Sequence, residues 1–295
     1  RSIRNTLARI RALVNTNVTA PANVRWVTLT YAENMTDTSR LMKDYEKFWK
    51  NFGRQIKYGL TANYGQHKDL LSDLVLFYSS TEKKPVTLEE YVSRMSEDQK
   101  YIYYAAGETV DKVDRLPQTE LLKDKGIEIL YFTEEVDEFI PQVLMTYMEK
   151  SFCNAVSEDL GLQTEEQKKE LEEKAEEMKG ILTFVKDSLG EQVKEVKLSA
   201  NLGSCPVCLT PDSGMSFEME KYMKRVNPEF AFSSGRILEL NPEHAAVKAM
   251  VGAVTEDPVK AKDYAQLLMY QAQLMAELPL EDPMAYTELV CKLMQ

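Results

Sequence analysis

The sequence predicts an α/β (α+β) fold in two units, a small α/β unit followed by a mixed unit that ends in helices. The apolar runs YIYYAA and IEILYF resemble strands and are separated by helical patterns, which is typical of a parallel strand pair. Three Asx-Pro pairs, each a favoured start of a helix, divide the last third of the chain.

The beginning of the chain combines a short helix with polar sequence. Apolar residues recur at helical spacing in residues 1–14, with arginines between them, which predicts the end of an amphipathic helix. Residues 15–43 are rich in Thr and Asn and show no sustained period, so we expect irregular structure there, with a short strand at residues 26–31.

The first unit opens with three predicted helices. An aromatic face at helical spacing predicts a helix from about Lys43 that Gly53 ends. A second helix is expected at residues 66–78, where leucines recur. A third begins with a capping box formed by Thr87 and Glu90.

The middle of the first unit contains the predicted strand pair. YIYYAA is the first strand and is followed by a short helix to Arg115. A helix at residues 117–125 then stops at Gly126. IEILYF is the second strand, and another helix is expected from about Glu134.

The second unit begins with a long predicted helix that Thr164 and Gln167 cap and that Gly190 ends. Two strands, VKEVKLSANL and PVCLT, should follow. The pairs Asn241-Pro242, Asp257-Pro258 and Asp282-Pro283 then predict helices that begin at about residues 242, 258 and 283.

The last two predicted helices carry more apolar surface than one chain can cover. A helix that is apolar over most of its circumference must be buried on more than one side, and a helix bundle with a second copy would provide that burial. We therefore expect a homodimer. The residues assigned to its interface are Tyr264, Leu267, Leu268, Leu274, Met275, Tyr286, Leu289, Val290 and Leu293.

Composition excludes several classes of protein. The chain is 44% hydrophobic and 28% charged, as in an ordinary globular protein. No apolar run approaches the length of a membrane span, and the basic first residues lack the features of a signal peptide, so we expect a cytoplasmic protein without a membrane partner. The net charge of -11 argues against a nucleic-acid partner.

The cysteines show one suggestive spacing, Cys205 and Cys208 in CPVC. A zinc site would need a second pair of ligands, but Cys153 and Cys291 lie far apart with no histidine nearby. A redox CxxC normally opens a helix, whereas CPVCLT indicates extended chain. Two small apolar residues in a strand are therefore favoured over a redox or zinc site.

Four segments resemble the heat shock protein 90 chaperones. In chain order they are LEEYVSRMSEDQKYIYYAAGE, LLKDKGIEILYFTEEVDEF, LELNPEHAAVK and LPLEDPMAYTELVCKLM. The sequence between them fits in order and spacing, so the resemblance covers about residues 44–294. The chain stops at KLMQ, without the acidic tail of eukaryotic cytosolic members, and is therefore expected to belong to the bacterial branch.

The resemblance implies three parts and a client-binding function. Residues 1–43 would be the end of a preceding middle-domain segment plus an unassigned linker, residues 44–162 the small middle domain, and residues 163–295 the dimerisation domain. The parent protein would be driven by ATP and magnesium, bound by a domain that precedes this chain. No cofactor, metal or enzymatic activity is therefore expected on the chain itself.

One helix matches the segment that lines the client-facing cleft in this family. In GMSFEMEKYMKRV, methionine suits a surface that must accept many sequences. An apolar stripe more often faces a core, and that alternative stays open. The residues assigned to partly folded clients are Met215, Phe217, Met219, Tyr222 and Met223.

No catalytic group is predicted. His67 and His244 have no second ligand at metal-binding spacing, and the carboxylates at residues 134–138 are expected to be solvated on a helix. Three hypotheses remain: a dimerising, client-binding part of a chaperone, a structural dimerisation module without a client site, and a CxxC redox or zinc protein.

Overall fold

The computed structural model describes residues 38–156, 160–212, 215–227, 229 and 233–294. The helix predicted at residues 1–14 and the strand predicted at residues 26–31 lie outside these residues. Two sheets with helices packed against them make up the described chain, so the predicted α/β class is confirmed.

The first described element is a long helix, α1 (Thr38–Gly65), which begins before the predicted start and does not end at Gly53. A Cβ atom on Gly53 would come within 2.5 Å of the Trp49 ring, so this glycine allows close packing inside the helix. The backbone leaves the helical conformation at residues 62–64, and Gly65 follows with a φ of +78°.

The first unit comprises the described residues between 38 and 162. After α1 its elements are α2 (Lys68–Leu71), β1 (Leu76–Ser79), β2 (Pro85–Thr87), α3 (Leu88–Arg94), β3 (Tyr101–Ala106), α4 (Val110–Asp114), α5 (Pro117–Asp124), β4 (Leu130–Phe132), α6 (Phe139–Leu144), β5 (Thr146–Tyr147) and β6 (Lys150–Asn154).

The strands of the first unit form a six-stranded sheet in the order β2-β1-β4-β3-β6-β5. Strand β3 is parallel to both β4 and β6, which confirms the predicted parallel pair. The helix predicted at residues 66–78 is wrong beyond Leu71, because β1 is a strand that pairs with β2 and β4. A short apolar run fits a buried strand as well as a helix, and its partners decide between them.

Both faces of this sheet are covered by helices. On one face, Phe77, Leu130 and Phe132 pack with Leu60 of α1 and Ile140 of α6. The other face has its own cluster, which joins strands β3, β4 and β6 to helices α4 and α5: Tyr103, Ala105, Tyr131, Cys153, Val113 and Leu122. The first unit is thus a three-layer sandwich with two apolar layers.

The second unit comprises the described residues between 163 and 294. Its elements are α7 (Glu165–Glu177), α8 (Lys179–Leu189), a 3₁₀ turn (Gly190–Gln192), β7 (Glu195–Leu198), β8 (Val207–Pro211), α9 (Phe217–Val226), β9 (Arg236–Leu240), α10 (Ala245–Glu256), α11 (Pro258–Met275) and α12 (Pro283–Leu293).

The local signals of the second unit are confirmed with two adjustments. The Thr164 capping box is present, but the long helix is divided at Met178, whose ψ of 5° lies outside the helical range. Asp257 and Asp282 cap their helices as predicted. The Asn241 side chain instead accepts a hydrogen bond from the Glu243 amide. Helix α10 begins later than predicted and is capped by His244.

The second sheet has three strands in the order β7-β9-β8, with β7 parallel and β8 antiparallel to β9. Strand β9 was not predicted. Helices α8, α10 and α11 cover the sheet and contribute Val185, Val247, Met250, Leu268 and Met269 to its core. Among the described residues, no helix is both long and apolar enough to cross a membrane.

Candidate functional site

The helix with the predicted client-binding residues, α9, lies between the two units. Ser216 caps it by accepting a hydrogen bond from the Met219 amide at 3.0 Å, which is the local reason the helix begins there. The Ser216 hydroxyl also donates to the Glu138 carboxylate of the first unit. The start of α9 is therefore fixed to both units.

The predicted client-binding residues do not share one environment. Phe217 and Met219 are buried, with 7% and 6% of their surface exposed, so the alternative that the stripe faces a core holds for these two residues. Met215, Tyr222 and Met223 are half-buried. A helix at an interface presents one face to each neighbour, and the stripe is thus divided between core and surface.

The outer turns of α9 contact the first unit. The Tyr222 ring packs edge-on against Phe139 of α6, with 6.0 Å between ring centroids. Arg225 forms an ion pair with Glu135. Val226 remains 64% exposed in the last turn. We call the accessible part of this helix, Met215, Tyr222, Met223 and Val226, the α9 surface.

The acidic stretch before α6 contradicts the prediction that it is a solvated helix. Residues 134–138 form a turn, and Asp137 is fully buried. The buried ammonium of Lys57 lies 2.7 Å from the Asp137 carboxylate and 2.8 Å from that of Glu134. Burial raises the pKa of Asp137 to about 6, although Lys57 acts in the opposite direction.

Glu138 is the titratable group at the interface between the units. Burial raises the pKa of its carboxyl from 4.5 to about 7. The neighbouring carboxylates of Glu218 and Asp137 add to that rise, whereas the Ser216 hydroxyl and the Lys221 ammonium oppose it. Its Oε1 is buried and has no hydrogen-bond partner. Sequence reasoning missed this residue because nothing in EEVDEF distinguishes a buried carboxylate from a solvated one.

A cavity of 380 Å³ opens beside α9 between the two units. Strands β3 and β6, helix α5 and the turn before α6 form its wall on the first unit. Strand β8, the start of α9 and the end of α11 form the opposite wall. The lining includes Tyr104, Gln118, Glu138, Asn154, Leu209, Thr210, Phe217, Ala272 and Met275. The volume lies within the range of small-ligand sites.

The predicted dimer residues divide between the two sides of α11. Leu268 is 3% exposed and belongs to the core of the second unit, so burial within its own chain contradicts its assignment to a contact between copies. Leu274 is 48% exposed on the other side. Tyr264, Leu267 and Met275 are half-buried.

Helix α12 has no buried residue. It is held on α11 by the edge-on contact of Tyr270 with Tyr286, at 5.9 Å between centroids, and by an ion pair of Lys292 with Asp263 at 2.5 Å. Its predicted interface residues, all half-buried, are Tyr286, Leu289, Val290 and Leu293. We call these residues with Leu274 the α11–α12 surface.

Cys205, Cys208 and His244 occupy structural positions. Cys208 lies in β8, where burial raises the pKa of its thiol well above the ordinary value, and burial also raises the pKa of the Cys205 thiol. A reactive thiol needs a lowered pKa. His244 Nδ1 accepts from the Ala246 amide. In the described part of the chain, no group of three or more His, Cys, Asp or Glu side chains could hold a metal ion.

Comparisons of the sequence with known proteins cover both units. The family model described as "Hsp90 protein" matches residues 23–295. The chain is 49% identical over 253 residues to the chaperone protein HtpG of Clostridium acetobutylicum, covering 86% of this chain and 40% of that protein. It is 45% identical over 259 residues to HtpG of Bacillus subtilis, covering 87% and 41%. The chain thus spans about 40% of the length of these curated relatives.

Proposed function

The chain belongs to the Hsp90 protein family, and from this premise we propose that it holds partly folded client proteins and joins two copies of a chaperone. The observation that carries the proposal is the α9 surface, an accessible apolar stripe beside a cavity. We further propose that residues 44–162 and 163–295 are separate domains and that the protein acts in the cytoplasm.

The α9 surface has the chemistry that a client-binding site requires. Methionine and tyrosine adapt to many partners, because the first is flexible and the second combines an apolar ring with a polar end. The helix itself is held firmly: Glu220 accepts from Lys224 at 2.6 Å, from Ser233 at 2.8 Å and from the Ser234 amide at 3.0 Å. Adaptable side chains on a fixed helix would bind clients without reordering the backbone.

Replacement of the accessible residues tests client binding. The double variant Tyr222→Ser, Met223→Ser should suppress aggregation of a heat-denatured client several-fold less well than the wild type. The control is Met145→Ser, Met148→Ser, which removes two methionines that are 71% and 60% exposed elsewhere. If both double variants protect the client equally, clients are held at another surface and a structural dimerisation module becomes the better interpretation.

The α11–α12 surface supports the proposed dimer. An isolated helix of eleven residues is marginal in water, and the contacts of α12 with its own chain leave none of its residues fully buried. The same surface of a second copy would complete the burial of its half-buried apolar side chains, as a two-fold interface requires.

Charges placed on α12 test the dimer. We expect Leu289→Asp, Leu293→Asp to sediment as a monomer, because a bundle would bury unpaired carboxylates at a cost of several kcal/mol. The control Met148→Asp adds a charge on the first unit and should leave sedimentation unchanged. A double variant that sediments like the wild type would place the interface elsewhere.

ATP and magnesium are proposed to act on other parts of such chaperones rather than on this chain. Calorimetric titration of the chain with ATP and Mg²⁺ should give no stoichiometric binding at micromolar concentration. Stoichiometric binding would contradict this assignment.

A further inference from the structure

The cavity between the two units contains acceptors without donors. Gln118 is 7% exposed, and a side-chain hydrogen bond joins it to the Cys208 thiol, but its Oε1 has no partner. Glu138 accepts a hydrogen bond from the Ser216 hydroxyl through Oε2, but its Oε1 also has no partner. Both residues line the cavity. A buried acceptor left unpaired destabilises the protein, so the site favours a ligand that donates hydrogen bonds.

The charges around the cavity favour a cation. Three carboxylates line it, those of Glu138, Glu218 and Asp212, and the described lining contains no Lys, Arg or His. Glu218 is paired with Lys221 at 2.6 Å and Asp212 with Lys194 at 2.5 Å. Within the described part of the chain, Glu138 forms no ion pair and is therefore the carboxylate available to a ligand.

Apolar side chains make up much of the remaining lining, beside the polar side chains of Gln142, Asn154 and Thr210. Both units contribute aliphatic or aromatic side chains to it: Leu116, Val156, Leu209, Phe217, Ala272 and Met275. Apolar walls with a few convergent polar groups are typical of ligand sites and would bury an aliphatic stem. An ammonium donates up to three hydrogen bonds, so one group can pair with Glu138 and retain donors for other acceptors of the lining.

We propose that this cavity binds an ammonium group carried on an apolar stem. Two sources have that chemistry: a free aliphatic amine, and a lysine side chain of a bound client. The second source rests on the proposed client binding, and the cavity shares Phe217 and the α9 N-cap Ser216 with that helix. Water filling the cavity is the competing interpretation, because water can also satisfy both acceptors.

The first experiment compares two ligands of the same shape on the wild-type chain. Pentylamine carries an ammonium where 1-pentanol carries a hydroxyl. Calorimetric titration at pH 8 should show that the amine binds at least tenfold more tightly than the alcohol. This comparison needs no variant and is unaffected by folding defects. Equal affinities, or no binding of the amine, would overturn the proposal and leave a cavity that holds water.

The second experiment locates the charge. Glu138→Gln keeps the side-chain shape and an acceptor for Ser216. It should weaken the binding of pentylamine at least tenfold without changing the affinity for 1-pentanol. The control Glu172→Gln removes the same charge from an exposed position on α7. An equal loss of amine affinity in both variants would indicate general attraction to an acidic chain and would overturn the assignment to the cavity.

The third experiment separates the two sources. A capped Leu-Leu-Lys-Leu-Leu peptide is compared with the same peptide carrying acetyl-lysine, with pentylamine as competitor. Tighter binding of the unmodified peptide, and its displacement by pentylamine, would assign the site to client lysines. Amine binding without that discrimination supports the cavity site with a free amine as its ligand. Failure of client binding at the α9 surface would affect only the peptide result.

Discussion

The two units bury their apolar residues to different degrees. In the first, a six-stranded sheet has a helical layer on each face, and Leu130, Ile102 and Leu122 are completely buried. In the second, the three-stranded sheet and α11 form a core, but α12 has no fully buried residue. The sheet core of the first unit is therefore enclosed on both faces by its own chain, whereas α12 of the second unit keeps its apolar side chains half-buried. The proposed dimer would therefore depend on a different part of the chain from the two sheet cores.

The largest effect should come from the buried ion pair of the first unit. Lys57→Met leaves the buried Asp137 carboxylate without its partner, at a cost of about 3–5 kcal/mol in the free energy of unfolding. Denaturant unfolding measures this, with the exposed Lys50→Met as control. A loss below about 1 kcal/mol would mean that the first unit tolerates an unpaired charge and is less closed than described.

Two leucine substitutions test the comparison directly. Leu130→Ala removes a fully buried side chain and should cost about 2–5 kcal/mol at any protein concentration. The cost of Leu289→Ala should instead change with protein concentration, because only a dimer would bury that half-buried residue completely. Thermal unfolding over a hundredfold range of concentration distinguishes them. If both variants lost stability by an amount that does not depend on protein concentration, the distinction between the units would be removed.

The interface between the units should add a pH-dependent contribution to stability. Because the folded state holds the pKa of Glu138 at about 7, it binds more protons than the unfolded state between pH 4.5 and 7. Stability contributed by this group therefore falls as pH rises through that window, by up to about 3 kcal/mol. Glu138→Gln should lack this decline.

The free energy of unfolding is measured for the wild type and for Glu138→Gln from pH 4.5 to 8. The difference between the two values at each pH gives the contribution of Glu138. Asp137 titrates in the same direction and is present in both proteins, so only the part of its titration that is coupled to Glu138 enters the difference. A constant difference between wild type and Glu138→Gln across the window would show that Glu138 is ionised in the folded protein throughout.

The smallest effect concerns a polar contact between the units. Glu120 accepts from the Ser204 amide at 3.1 Å and from its hydroxyl at 2.9 Å. Glu120→Ala should cost about 1 kcal/mol, since a net hydrogen bond is worth that little. The exposed Glu97→Ala is the control. A loss of several kcal/mol would mean that the two units depend on this contact to fold.

Much of this fold follows from local sequence signals. The Thr87 and Thr164 capping boxes, the caps at Asp257 and Asp282 and the helix end at Gly190 are confirmed, because each depends on atoms a few residues apart. The strands YIYYAA and PVCLT are confirmed for a similar reason, since β-branched, aromatic and apolar runs bounded by turn residues favour strands locally.

Only the tertiary structure decided which residues are buried. β1 is a strand because β2 and β4 pair with it, and those partners are distant along the chain. Burial of Asp137, Glu138, Met219 and Leu268 depends on which element packs against each one. The sequence by itself therefore determined the family, the fold class and most helix ends, whereas the cavity and the faces of α9 and α11 required non-local contacts, because burial is a property of neighbours rather than of spacing.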